Sequence, residues 1–214
     1  LFDGVTVISA SPERFLQVRG RHVETRPIKG TIRRGDSEME DEALRRWLLA
    51  SEKNRAELAM IVDLMRNDLG RVCRAGSIAV EQFPQLETYA SLHHLVATVT
   101  GELQPGKTVT DVVRAAFPGG SITGAPKIRA MQIIEELEPV PRGLYTGSIA
   151  YLGFNGNADL NIVIRTIVIQ NGTASLQTGG GIVADSVDTD EYEESLVKIR
   201  PLLTALCGTD RPLH

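Results

Sequence analysis

The sequence predicts a mixed α/β fold of the α+β type. Short runs of β-branched residues are separated by turn residues, while residues 37–70 show helical periodicity. A glycine-rich loop also leads directly into an apolar helix within residues 115–140. With 214 residues and 42% hydrophobic content, the chain can bury a core in one large or two small domains.

Strands begin the chain. Val5–Ser9 is a strand-like run, and residues 15–18 and 22–28 are predicted to form a hairpin around Gly20. Glu13 lies at the junction between these strands. Because the chain opens directly on a strand with no element before it to cover it, we expect a piece of a longer protein.

The run PIKGT at residues 27–31 is predicted to close the hairpin. It places Lys29 beside Gly30, and a glycine allows the backbone and a ligand to approach closely. A solvated loop lysine is the alternative interpretation.

Residues 37–70 are predicted to be helical, to open with a capping box of Ser37 and Glu40, and to break near Ser51. In the second helix, Glu57 falls on the apolar face. Because an unpaired buried carboxylate is strongly destabilising, Glu57 must meet a cation, a metal ion or a network of donors. A salt bridge to a nearby arginine is the purely structural alternative.

Residues 77–89 and 92–100 are predicted strands, and a short helix is predicted at 110–117. The second strand carries His93 and His94, so one imidazole faces each side and one points inward. An inward histidine is either a satisfied core residue or a catalytic one.

Residues 115–140 join the glycine-rich loop to a helix, for which Thr123 is the predicted cap and Pro126 suits the first turn. The free N–H groups form either an anion site or a tight turn into a core helix. Apolar side chains cover most of the helix circumference, which predicts a mostly buried helix. A nucleotide P-loop is disfavoured because Ala125 follows Gly124 and no Lys-Ser/Thr pair comes next.

Residues 145–154 and 160–170 are predicted strands, and an Asn-Gly turn pairs the latter with residues 173–178. Arg165 shares a strand face with branched apolar residues. This position suggests a buried anionic partner, although an edge strand or an internal glutamate would also explain it.

The last helix carries Glu191, Glu194 and Lys198 on one stripe beside its apolar arc. Such a stripe is either a solvated charged face or, together with Glu57, a set of the hard oxygen ligands that Mg²⁺ prefers.

The composition of the chain disfavours several classes of function. A net charge of −4 gives no electrostatic case for nucleic-acid binding, and two cysteines make neither a disulfide framework nor a metal-ligand pattern. No apolar run reaches membrane-spanning length and no signal segment opens the chain. We therefore expect a cytoplasmic protein.

Ordered motifs along nearly the whole chain resemble the chorismate-utilising enzymes. They are SPERF (11–15), RPIKGT (26–31), IVDLMRND (61–68), HHLV (93–96), FPGGSITGAPK (117–127) and GGGIVADS (179–186). The resemblance implies the anthranilate synthase component I-like fold, with antiparallel sheet packed on a helical layer. It also implies that residues 1–214 are the C-terminal part of the catalytic domain and that the N-terminal half is absent.

The resemblance implies roles for individual residues. Glu57 and Glu191 would bind Mg²⁺, supported by Glu194, although Asn54 stands where many relatives have a further glutamate. The implied substrate-binding residues are Gly30, Thr31, Tyr145, Arg165, Gly179, Gly180, Gly181 and Lys198, and the implied catalytic residues are Glu13, Lys29, His94 and Ser121.

Within the family, Lys29 resembles the branch that makes 4-amino-4-deoxychorismate, whereas the anthranilate-forming branch has alanine there. Glu13 would act as general acid at the C4 hydroxyl and neutral Lys29 would attack C2, before ammonia opens the adduct at C4. The resemblance implies that a glutamine amidotransferase partner supplies the ammonia. The alternatives are anthranilate synthesis and a non-catalytic chorismate-binding fragment.

Overall fold

The chain folds into two units in the computed structural model, which describes residues 4–90, 92–184 and 186–208. The larger unit comprises Glu13–Pro139 and Ile149–Asn161, and the smaller comprises Leu1–Pro12, Val140–Ser148 and Ile162–His214. Residues 1–3, with which the chain opens, and Asp185 of the GGGIVADS run lie outside the described residues.

The secondary structure alternates strand groups with helices, as the sequence predicts. The strands are β1 (Val5–Ser9), β2 (Arg14–Arg19), β3 (His22–Arg26), β4 (Ile28–Arg33), β5 (Ala79–Thr88), β6 (Leu92–Glu102), β7 (Ala150–Leu152), β8 (Ala158–Asn161), β9 (Thr166–Gln170) and β10 (Thr173–Leu176). The helices are α1 (Glu38–Ala50), α2 (Glu52–Gly70), α3 (Val109–Ala116), α4 (Gly120–Thr123), α5 (Lys127–Leu137) and α6 (Asp188–Cys207).

The larger unit is built on a seven-stranded sheet with strand order β4-β6-β3-β2-β8-β7, and β5 also pairs with β6. Every pairing in this sheet is antiparallel. Helices α1 and α2 pack against the sheet, and α3 and α4 pack against α2. This arrangement confirms the predicted α+β class, with antiparallel sheet on a helical layer.

The core of the larger unit lies between the sheet and α2. Leu58, Ile61 and Leu69 of α2 are buried, as are Leu16 of β2 and Leu95 of β6. Helix α2 begins where predicted, because the hydroxyl of its N-cap residue Ser51 accepts from the backbone of Asn54 at 3.4 Å. Its apolar face therefore fixes the position of Glu57, which lies on the same helix.

The smaller unit contains a three-stranded antiparallel sheet in the order β1-β9-β10, together with α6. The predicted Asn-Gly turn joins β9 to β10, and Asn171 and Gly172 both have positive φ, at 51° and 76°. This combination is typical of a type I′ hairpin turn.

Two predicted strands are shorter than expected. Residues 145–149 form turns and irregular backbone, and residues 162–165 separate β8 from β9. The chain crosses between the two units at both places, which interrupts the apolar runs. Arg165 consequently lies outside β9 with φ of 51°, so its predicted place on a strand face is wrong.

The prediction of a mostly buried helix after the glycine-rich loop is also wrong. No residue of α5, all of which are described, is buried, and Ile128 and Leu137 are each 75% exposed. Helix α5 packs mainly against α4. Apolar periodicity indicates that one face of a helix is stabilised by burial. It does not show whether another part of this chain packs against that face.

Candidate active site

Glu13 lies immediately before β2 and is only 7% exposed. Burial raises the pKa of its carboxyl to about 7, although the hydroxyl of Ser121, the charge of Lys29 and the backbone of Ile28 all act to lower it. A carboxyl with this pKa holds a proton in a substantial fraction of molecules at neutral pH, as a general acid requires. The structure thus brings three predicted residues, Glu13, Lys29 and Ser121, together.

Lys29 lies in β4 opposite Leu95 of β6, and not in a turn closing the preceding hairpin as predicted. Its Nζ is 3.7 Å from Oε2 of Glu57, and both side chains are mostly buried. The sequence required a partner for Glu57 on the apolar face of α2, and Lys29 is such a partner. The purely structural alternative named an arginine, whereas the cation is a lysine that the resemblance marks as catalytic.

Gly30 occupies a backbone conformation with φ of 71°, which favours glycine. A Cβ there would lie 2.9 Å from Cγ of Asn54. Asn54 in turn donates from its side-chain amide to Ser51 Oγ at 2.9 Å. Asn54 therefore supports both the N-cap residue of α2 and the chain next to Lys29, a role that the sequence did not reveal.

Both histidines of the HHLV run are buried, whereas the sequence predicted only one inward imidazole. His93 is satisfied by Asp41 and Thr88, each 2.9 Å from a ring nitrogen. His94 Nδ1 lies 2.8 Å from Oγ1 of Thr31, and its ring meets that of Tyr89 edge-on. Strand β6 is covered on both faces, so neither imidazole faces solvent.

The loop that carries Ser121 is held closely against α2. Gly120 is buried, and a Cβ there would approach Cδ2 of Leu64 to 2.6 Å. Thr123, the predicted cap of α5, instead donates to the carbonyl of Gly119 at 2.9 Å. The N-cap of α5 is Pro126, and it has no side-chain hydrogen bond. The predicted anion site at this helix end remains a prediction.

In the smaller unit, the GGG run passes close to three predicted site residues. A Cβ on Gly179 would lie 3.2 Å from the hydroxyl of Tyr145, and a Cβ on Gly180 would lie 2.8 Å from Oε2 of Glu191. Gly181 is exposed. Lys198 Nζ donates to the carbonyl of Gly179 at 3.1 Å. The glycines therefore leave room that any side chain would fill.

Arg165 is half-buried in the smaller unit, and its guanidinium donates to the carbonyl of Lys198. Burial lowers the pKa of Arg165, while Tyr145 and Glu194 act to raise it. The expected anionic partner is therefore partly supplied by Glu194, in line with the alternative of an internal glutamate.

Glu191 lies in the first turn of α6 at a buried position, and its Oε1 accepts from the hydroxyl of Ser186 at 2.6 Å. Glu194 Oε1 lies 2.5 Å from Lys198 Nζ, so two of the three charged residues of the predicted stripe form an ion pair. These carboxylates are hard oxygen donors, and in chemical type they fit Mg²⁺.

Within the described ranges, no group of three or more His, Cys, Asp or Glu side chains is placed to hold a metal ion. Glu57 belongs to the larger unit, whereas Glu191 and Glu194 belong to the smaller. Their joint role as metal ligands therefore stays a prediction.

Sequence reasoning missed one buried ion pair beside this site. Lys127 Nζ lies 2.6 Å from Oδ2 of Asp68, and the two side chains are only 15% and 5% exposed. The available signal was Asp68, which shares the apolar face of α2 with Glu57 and therefore also needs a partner.

None of the helices in the described part of the chain is both long and apolar enough to cross a membrane.

Comparison with known proteins adds an independent finding. Residues 2–204 match the profile of the chorismate binding enzyme family. The chain is 52% identical over 200 residues to aminodeoxychorismate synthase component 1 of Bacillus subtilis (strain 168), covering 94% of this chain and 43% of the relative. It is 51% identical over 203 residues to anthranilate synthase component 1 of Mycolicibacterium smegmatis, covering 95% and 39%.

A solved structure shows the same fold. Anthranilate synthase component I from Streptococcus pneumoniae superposes with a TM-score of 0.83 at 42% identity, covering 92% of this chain and 43% of that chain. The chain thus spans less than half the length of each of these relatives. The two curated relatives carry different activities in their names at nearly equal identity, so overall similarity does not choose between them.

Proposed function

Because the chain belongs to the chorismate-binding enzyme family, we propose that it is the C-terminal part of an enzyme that aminates chorismate to 4-amino-4-deoxychorismate. In this proposal the product serves p-aminobenzoate and folate synthesis in the cytoplasm. A glutamine amidotransferase subunit supplies ammonia, a partnership supported by the "component 1" name of the Bacillus relative.

One observation carries the proposal: Lys29 lies beside a carboxyl whose pKa is near neutrality. A proton donor and an amine nucleophile are the two groups needed to exchange a hydroxyl for nitrogen on the ring. Lys29 also favours this reaction over anthranilate synthesis, because the anthranilate-forming branch of the family has alanine at the corresponding position.

The proposed chemistry has two displacement steps. Glu13 gives its proton to the C4 hydroxyl, which leaves as water while the amine of Lys29 bonds to C2 and the ring double bond shifts. Ammonia then bonds to C4, the double bond shifts back, and the bond between C2 and the lysine nitrogen breaks. The new C4 ammonium returns a proton to Glu13, which restores both residues.

The remaining predicted residues hold the substrate in this proposal. Arg165, Tyr145 and the backbone of the GGG run bind the enolpyruvyl carboxylate, which their partial burial and open backbone support. Glu191, Glu194 and Glu57 are the proposed Mg²⁺ ligands. When bound, the metal neutralises the ring carboxylate of chorismate.

The product made by the full-length enzyme tests this proposal. With chorismate, Mg²⁺ and ammonium, we expect a compound that a lyase converts to p-aminobenzoate. Direct formation of fluorescent anthranilate would instead support the second activity. Mg²⁺-dependent binding of chorismate without turnover would support the non-catalytic alternative.

A further inference from the structure

Lys127 joins the two ends of the loop at residues 117–126. Its ammonium donates to Oδ2 of Asp68 at 2.6 Å and to the carbonyl of Ala116 at 2.8 Å. Ala116 is the last residue of α3, and Lys127 is the first residue of α5. One ammonium therefore closes the loop on itself and attaches it to α2.

The middle of the same loop also rests on α2. Gly120 is buried so closely against Leu64 and Met65 that a Cβ would lie 2.6 and 2.8 Å from their side chains. Ser121 is the next residue, and its hydroxyl hydrogen-bonds the carboxyl of Glu13. A shift of the loop away from α2 would therefore move Ser121 relative to Glu13.

We propose that Asp68 and Lys127 are positioning residues, which clamp the loop at residues 117–126 to α2 so that Ser121 stays bonded to Glu13. The kinetic consequence of this proposal rests on the proposed function, whereas the geometric part does not. Asp68 and Lys127 are not among the groups that act on Glu13, and in this proposal both act through Ser121.

The burial and opposite charges of Asp68 and Lys127 support this positioning role. Burial raises the pKa of Asp68, while Lys127 and Arg71 act to lower it. Replacing either partner leaves the other buried without its counter-charge, so the remaining side chain is expected to turn towards water and release the loop.

Three groups lower the pKa of the Glu13 carboxyl, and their loss predicts how that pKa should change. They are Lys29 on β4, the backbone of Ile28 and the hydroxyl of Ser121, and Lys29 is itself paired with Glu57 on α2. Loss of the Ser121 hydrogen bond removes one group that stabilises the ionised carboxyl. The pKa of Glu13 should therefore rise further.

Infrared titration of the full-length enzyme measures this directly, with the Glu13→Gln variant as the reference that identifies the Glu13 carboxyl band. We expect Asp68→Asn and Lys127→Met to raise the pKa of Glu13 by about one pH unit, as Ser121→Ala does. Asp68→Asn should add nothing in a Ser121→Ala background, and Lys127→Arg should restore most of the wild-type value. Asp63→Asn, which breaks an exposed pair with Arg66 on the same helix, is the matched control and should change nothing.

In kinetics, the alkaline limb of kcat/KM for chorismate should move to higher pH in the same variants, whichever product is formed. Lower melting temperatures with an unchanged Glu13 titration would make the pair purely structural and overturn the proposal, as would failure of both Asp68→Asn and Lys127→Met to fold. Equal shifts with and without Ser121 would also overturn it. A wild-type enzyme that does not turn over chorismate would contradict the proposed function alone, because the infrared titration still tests the clamp.

Discussion

Burial of Glu13 affects stability as well as chemistry. Folding raises the pKa of this carboxyl from its ordinary value of 4.5 to about 7. Between these pH values the unfolded chain loses the proton first, so the folded state binds more protons and its stability falls as pH rises. Above pH 7 the loss is complete, and it amounts to about 3 kcal/mol.

The Glu13→Gln variant removes this pH dependence, since glutamine stays neutral in both states. We expect its melting temperature in the full-length enzyme to exceed that of the wild type by more at pH 8 than at pH 5. Calorimetry at both pH values measures this difference. A gap that stays constant or narrows between pH 5 and pH 8 would show that burial does not hold the Glu13 carboxyl in its protonated form.

In the proposed function, the choice of product rests on Lys29. In full-length Lys29→Ala, we expect strongly reduced aminodeoxychorismate and some product substituted at C2, because ammonia can occupy the vacated space. Chromatography of the reaction products measures both. Lys107→Ala is a suitable control, since Lys107 pairs with Asp111 near the start of α3. Wild-type rates in Lys29→Ala would remove the reason for preferring this activity.

At the scale of elements, helix α2 organises the larger unit. It carries Glu57 near its start and Asp68 near its end, and the glycine-rich loop packs against the turns between them. The sequence identified this loop and α2 separately, but it did not show that they touch. Contacts between segments far apart in sequence leave no periodic signal within either segment.

Gly120→Ala tests the contact between the loop and α2. The added methyl meets Leu64 and Met65 at 2.6 and 2.8 Å, so we expect a loss of stability of roughly 1–3 kcal/mol together with reduced activity. Gly70→Ala at the end of the same helix is the matched control, because its nearest neighbour would be Ile78 at 3.7 Å. Denaturation curves of the two variants measure this difference in stability. Equal stabilities would show that the loop moves away from α2 without cost and would contradict a close contact.

How well the sequence predicted an element depended on which contacts determine that element. The helical break at Ser51 and the Asn-Gly turn of the β9–β10 hairpin depend on neighbouring residues, so both were predicted from the sequence. Arg165 was misplaced because the chain crosses between units beside it. Helix α5 was misjudged because amphipathic pattern does not identify what covers a face.

At the scale of the whole molecule, the chain exposes many large apolar side chains. Ile128, Met131 and Leu137 of α5 are 75%, 41% and 75% exposed, and a shallow groove lies along this helix beside Glu135. Such continuous apolar surface favours association in water. The sequence predicted that β1 lacks cover, and α5 also presents exposed apolar side chains.

We therefore expect the isolated chain to be inactive and to self-associate. The double variant Ile128→Glu/Leu137→Glu should shift it towards monomer in sedimentation velocity, because charge on α5 opposes apolar contact. Met39→Glu, at an exposed position of α1, is the control and should have little effect. A monodisperse wild-type monomer that makes aminodeoxychorismate would contradict this expectation.

The most direct test of the proposed chemistry is the mass of the peptide that contains Lys29. Full-length enzyme incubated with chorismate and Mg²⁺, but without ammonia, should carry an adduct on that peptide equal to chorismate less one water. The adduct should disappear when ammonium is added, and it should be absent from Glu13→Gln, which cannot protonate the leaving hydroxyl. An unmodified peptide in an enzyme that turns over chorismate once ammonia is supplied would contradict covalent catalysis by Lys29.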